Sequence, residues 1–133
     1  MKIIDLQGVG PAYAQKLSEA GIRTAEALLD QGGSPKARKE IASKTGISEE
    51  LILRWVNHAD LCRIKGIGPQ YAELLEKAGV DTVVELKKRV AANLYAKMVE
   101  ANKKFNIANA LPGEKQVAAW IITAKELPRA VSY

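Results

Sequence analysis

The sequence predicts an all-α protein, and three observations carry that prediction. Apolar residues recur at helical spacing along the chain. No segment shows sustained alternation of β-branched residues, so no strand is expected. Gly, Pro, Ser and Thr fall where helices would start and stop. The same punctuation also appears twice. LQGVGPAYAQKLSEAGI begins at residue 6 and IKGIGPQYAELLEKAGV at residue 64. A shift of 58 residues superposes Gly8, Gly10, Pro11, Tyr13, Ala14, Leu17, Ala20, Gly21, Thr24 and Leu28 on Gly66, Gly68, Pro69, Tyr71, Ala72, Leu75, Ala78, Gly79, Thr82 and Leu86. Trp55 and Trp120 hold similar places later in each copy, each with an alanine four residues on. The chain therefore divides into repeats at 1–62 and 63–133, with a shared core.

Each expected helix has a local cause. Pro11 fits a first turn, where its missing N–H costs nothing, and Gly21 ends that helix as a left-handed glycine. Thr24 caps a short helix over 25–30. Gln31-Gly32-Gly33-Ser34 then breaks the chain. Ser34 and Pro35 start a helix that runs to Thr45 and stops at Gly46. Ser48 caps a fourth helix, with Glu49 and Glu50 near its positive end and Ile52, Trp55, Ala59 and Cys62 on its apolar face. In the second copy a helix runs from Pro69 to Ala78, and Thr82 with Glu85 forms a capping box before a short one. A longer helix follows at about 92–104, and after the loop FNIANALPG a last one at about 114–127. The inner face of the last helix is Val117, Trp120, Ile121 and Ala124.

Composition narrows the function. Cys62 is the only cysteine among 133 residues, so no internal disulfide exists, as suits a reducing cytoplasm. The N-terminus lacks the apolar run of a secretory signal, and no stretch approaches the ~20 apolar residues of a membrane span. The net charge of +5 is confined to one half. Residues 1–60 carry eight basic and eight acidic side chains, and residues 61–133 carry twelve and seven. A basic half is compatible with a polyanionic partner.

The stretch SEELILRWVNHADLCRIKGIGPQYAELLEKAG has the form helix, aliphatic-x-Gly-aliphatic-Gly, helix. This is the helix-hairpin-helix pattern. The glycines allow the tight turn, and Val9 or Ile67 plugs it from inside. Amides of the turn and of the following helix N-terminus then face outward, where they can hold a phosphate. Such a contact reads backbone and not bases. The fold expected is two tandem helix-hairpin-helix repeats packed as one pseudo-twofold globule. Because only five residues precede Leu6, the Trp120 helix is expected to fold back and complete the first hairpin.

The two GxGPxYAxxLxxAGhxT blocks, the GIS turn and the RWVNHADL helix resemble the bacterial family called domain of unknown function 4332, over nearly the whole chain. A looser resemblance is to the small N-terminal helical domain of RadA-type recombinases. The wider helix-hairpin-helix group implies non-specific DNA binding, sometimes with a monovalent cation at hairpin carbonyls. Many hairpins of that group carry a basic residue two positions after the second glycine. Here those positions are Ala12 and Gln70.

The candidate DNA-backbone contacts are Arg63, Lys65, Gly66, Ile67 and Gly68 at the second turn, Gln7, Gly8 and Gly10 at the first, and Lys87 and Lys88 downstream. The second turn, with its basic neighbours, is expected to be the stronger. The alternative partner is a protein, bound by a helical scaffold that takes no nucleic acid. No enzymatic constellation appears: GVGPAY lacks the lysine and hydroxyl of a nucleotide loop. His58 has no metal-ligand spacing around it and is expected on a solvent face. Tyr13 and Tyr71 are expected either to pack between the units or to flank a bound backbone.

Overall fold

A computed structural model describes all residues 1–133. The chain is all-helical: a 3₁₀ turn at Ile3–Asp5 precedes α1 (Pro11–Glu19), α2 (Ala25–Gln31), α3 (Pro35–Thr45), α4 (Glu49–Leu61), α5 (Pro69–Lys77), α6 (Val83–Leu86), α7 (Ala91–Phe105) and α8 (Glu114–Glu126). Its only β-type pairing is an isolated bridge between Lys2 and Thr24. Two compact units form, one from 1–60 with 130–133 and the other from 61–129. The last four residues thus belong to the first unit, whereas the repeat pattern assigns them to the second.

The caps act as the sequence requires. Thr24 Oγ1 accepts from the Ala27 amide at 3.0 Å, Ser34 Oγ from Ala37 at 3.2 Å, and Ser48 Oγ from Leu51 at 3.2 Å. Each such cap is worth about 1 kcal/mol. Thr82 Oγ1 accepts from Glu85 at 3.3 Å, while Glu85 Oε2 accepts from the Asp81 amide at 2.8 Å. The capping box therefore closes one residue further out than its simplest form. Gly21, Gly46 and Gly79 end their helices with φ of +86°, +74° and +95°.

In the first unit, the core gathers Leu6, Val9, Leu17, Leu28, Ile41, Ile52 and Trp55, all buried. The Gly32-Gly33 pair is needed here for packing. A Cβ on Gly32 would come within 2.9 Å of both the Leu28 carbonyl and a methyl of Val56. One on Gly33 would sit 2.6 Å from the Ala130 carbonyl oxygen. That bare edge seats the 130–133 segment as a strap. The Ser132 amide donates to Gly33 O at 2.8 Å. The guanidinium of Arg38, only 5% exposed, donates to Gly32 O at 3.0 Å and to Ser132 O at 2.6 Å. Burial lowers the pKa of Arg38 from that of a free guanidinium. Tyr133 adds a bond from its hydroxyl to Asn57 Oδ1 at 3.2 Å.

α4 departs from the amphipathic pattern in its last turns. Every residue from Trp55 to Leu61 is buried, including Asn57, His58 and Asp60. His58 is fully buried, against the expectation of a solvent face. Burial here is set by what packs around the last turns of α4 and not by the helix's own apolar period.

In the second unit, α5, α7 and α8 enclose Ile64, Ile67, Ala72, Leu75, Leu94, Met98, Val117, Trp120, Ile121 and Ala124. All four residues expected on the inner face of α8 are buried. The α7–α8 loop is held by Asn102, whose Oδ1 accepts from the Ile107 and Ala108 amides at 3.0 and 2.9 Å.

Candidate nucleic-acid interface

Two glycine turns form with the same bonds in the two units. The Val9 amide donates to Leu6 O at 3.2 Å, and the Ile67 amide to Ile64 O at 3.1 Å. All four of these side chains are buried. At the third position of each turn stands a glycine with positive φ, +84° at Gly8 and +98° at Gly66. That conformation strains any residue with a Cβ.

After each turn a helix begins without a side-chain cap. Gly10 and Gly68 are the N-caps of α1 and α5, and Pro11 and Pro69 fill the first helical position. No carbonyl of the chain accepts from the amides of Gly8, Gly10, Ala12 and Tyr13, or of Gly66, Gly68, Gln70 and Tyr71. Helices α2, α3, α4 and α6 answer the same need with a Thr or Ser side chain. α7 and α8 also start uncapped, at Val90 and Gly113, but neither follows such a turn. A Cβ at Gly10 or Gly68 would meet nothing within 4 Å, and φ there is −78° and −98°. Internal packing and backbone geometry thus do not demand glycine at either position. Its effect there is to leave the donor clusters uncovered.

Each left-handed glycine is backed by a tryptophan of its own unit. A Cβ on Gly8 would lie 3.4 Å from Trp55 Nε1, and one on Gly66 3.0 Å from Trp120 Nε1. Tyr13 packs tilted against Trp55, with ring centroids 5.2 Å apart and planes at 59°, and Tyr71 against Trp120 at 5.5 Å and 51°. Such pairs contribute ~0.5–1.5 kcal/mol beyond area burial. The tyrosines therefore pack within their units. The expectation that Trp120 would complete the first hairpin is corrected: Trp120 rests on Gly66, and α4 supplies the ring that rests on Gly8. Trp55 Nε1 is buried with no hydrogen-bond partner, a cost of about 1–3 kcal/mol.

The basic candidates divide. Lys65 and Lys88 are exposed. Arg63 donates to Pro128 O at 3.0 Å, and Lys87 Nζ to Leu127 O at 3.4 Å. Both hold the segment after α8, where helix carbonyls attract cations. Gln7 is half-buried beside Gly8, and Ile67 is buried as the plug of its turn. Sequence reasoning missed Arg54, whose Nη1 lies 3.8 Å from the Cβ position of Gly8, and Gln116, whose Nε2 lies 3.5 Å from that of Gly66. Their one signal was position: both lie close to the tryptophans in sequence, one residue before Trp55 and four before Trp120.

The fold and the turns define a small helical protein with two open amide clusters. The chain belongs to the family described as "Domain of unknown function (DUF4332)", whose profile matches residues 7–127. It is also similar to an adenylosuccinate synthetase of Trichlorobacter lovleyi, at 31% identity over 86 residues. That alignment covers 65% of this chain and 19% of the synthetase, so the chain spans about a fifth of that relative. No solved structure matches the chain. No helix is long and apolar enough to cross a membrane.

Proposed function

We propose that this protein binds the DNA backbone without regard to base sequence, through two helix-hairpin-helix turns, and catalyses no reaction. The observation that carries the reading is the pair of uncapped amide clusters at α1 and α5, bordered by glycines that packing does not require. Amides at a positive helix end suit a phosphate, and a bare Cα lets a sugar-phosphate chain approach. Lys65, exposed in the second turn, supplies charge there.

The test is fluorescence anisotropy of labelled duplexes of unrelated sequence, titrated at several salt concentrations. Binding is expected at about micromolar strength at best, alike for every sequence, with log K falling by ~0.9 per phosphate contacted for each decade of salt. Absence of binding at low salt overturns the reading. Recovery of a protein partner with salt-insensitive affinity, in a chain that ignores DNA, establishes the helical interaction module instead.

A further inference from the structure

The second unit contains a cleft whose chemistry the fold does not require. It opens where the C-terminal ends of α5 and α7 converge, and its volume is about 430 Å³. Lys77, Gly79, Lys97, Glu100, Lys104 and Phe105 are among its lining residues. Phe105 is 45% exposed. Lys77 Nζ lies 5.1 Å and Lys104 Nζ 5.3 Å from the centre of its ring. None of the three lysines is engaged in an ion pair.

The first unit provides an internal control. The corresponding cleft there is smaller, about 250 Å³, and is lined by Lys16, Glu19, Ala20, Lys44 and Thr45. The 58-residue shift pairs Glu19 with Lys77. The left-handed caps Gly46 and Asn106 pair α3 with α7, which sets Lys44 against Lys104, Glu40 against Glu100, Ala37 against Lys97 and Thr45 against Phe105. A lysine in the last turn of the longer helix is common to both, as the helix dipole favours. Lys77, Lys97 and the open phenylalanine belong to the second unit alone. An acid has become a base, an alanine a base, and a hydroxyl an aromatic ring.

We propose that this cleft binds single-stranded nucleic acid, with one base stacked on Phe105 and the flanking phosphates on Lys77, Lys97 and Lys104. A part-exposed aromatic ring with displaceable ammonium groups over it is an arrangement that takes unpaired bases with little regard to their identity. The ammonium that leaves the ring face on stacking moves to a phosphate, so its cation–π interaction is exchanged for a charge pair. An acidic peptide matches the lysines but offers no base to the ring. The site stands apart from the amide cluster of its own unit: the nine residues of α5 place the two about 13 Å apart. Failure of either reading leaves the other standing.

The test uses the full chain and three labelled probes: an oligothymidylate of about a dozen nucleotides, an abasic sugar-phosphate strand of equal length, and a duplex. Phe105→Ala is expected to weaken oligothymidylate binding about fivefold or more, and to leave the abasic strand and the duplex unchanged. Phe105→Trp restores or strengthens oligothymidylate binding. Lys77→Glu with Lys97→Ala, the composition of the first unit, weakens both single strands and lowers the salt slope by about 0.7 for each phosphate no longer neutralised. Equal binding of oligothymidylate by wild type and Phe105→Ala overturns the proposal. So does equal weakening on the abasic strand, or displacement by polyglutamate at concentrations where oligothymidylate does not compete.

Discussion

Trp120 Nε1 lies 3.0 Å from the point where a Cβ on Gly66 would stand, while Trp55 Nε1 lies 3.4 Å from the same point on Gly8. The two turns share their bonds yet differ in tolerance. Gly66→Ala meets both a left-handed φ and a ring that must move. It is expected to destabilise the protein by about 2–4 kcal/mol. Gly8→Ala carries mainly the backbone term, about 1–2 kcal/mol. Urea denaturation of the two variants side by side checks the order.

Stability and binding should part company at the N-caps. Gly68→Ser places a hydroxyl where it can accept from the amides of α5, and is expected to leave stability unchanged or raise it by about a few tenths of a kcal/mol. If these donors take a phosphate as proposed, the same hydroxyl occupies them, and duplex affinity is expected to fall alike for every sequence. The Gly10→Ser change should act in the same direction at α1. Retained affinity in the double variant would remove the amide clusters from the mechanism.

The basic side chains are expected to separate into two kinds when binding and stability are measured together. Lys65→Ala is expected to reduce the salt slope of duplex binding by about 0.9. Lys87→Ala should leave that slope alone and instead cost up to about 1 kcal/mol of stability, because its ammonium is bonded to the Leu127 carbonyl. A titration against salt, paired with a melting curve, reads both quantities on each variant.

The strap makes a prediction about backbone protection. Arg38→Leu removes two donors from carbonyls and is expected to destabilise the first unit by about 2–4 kcal/mol. Gly33→Ala sets a methyl 2.6 Å from the Ala130 oxygen and must displace the strap. In both variants the Ser132 amide, bonded to Gly33 O in the native chain, should lose hydrogen-exchange protection while amides in α7 and α8 keep theirs.

Local signals were legible in the sequence because the forces behind them are local. Thr24, Ser34, Ser48 and Thr82 mark helix starts by bonds three residues long, and the left-handed glycines mark their ends. Gly8 and Gly66 could be read as turns because few residues adopt that φ. The longer-range facts could not be read this way. Arg63 and Lys87 look free in a basic stretch, and only the path after α8 reveals the carbonyls that hold them. His58 lies in a helix stretch with no solvent face, which depends on what surrounds it rather than on its own period. The seat of each tryptophan required knowing that a repeat closes on its own turn. Arg54 is hidden in the sequence for the same reason.

The strap also fixes an order of events. Residues 61–129 form a complete unit lying, in sequence, between two parts of the other. A ribosome therefore emits Gly33, Arg38 and Asn57 long before the segment that bonds to them. The first unit cannot close its Gly33 edge until Val131, Ser132 and Tyr133, the last residues of the sequence, have been made. Until those residues emerge, the buried guanidinium of Arg38 has only one of its two carbonyls, and the edge at Gly33 is open to whatever extended segment arrives first.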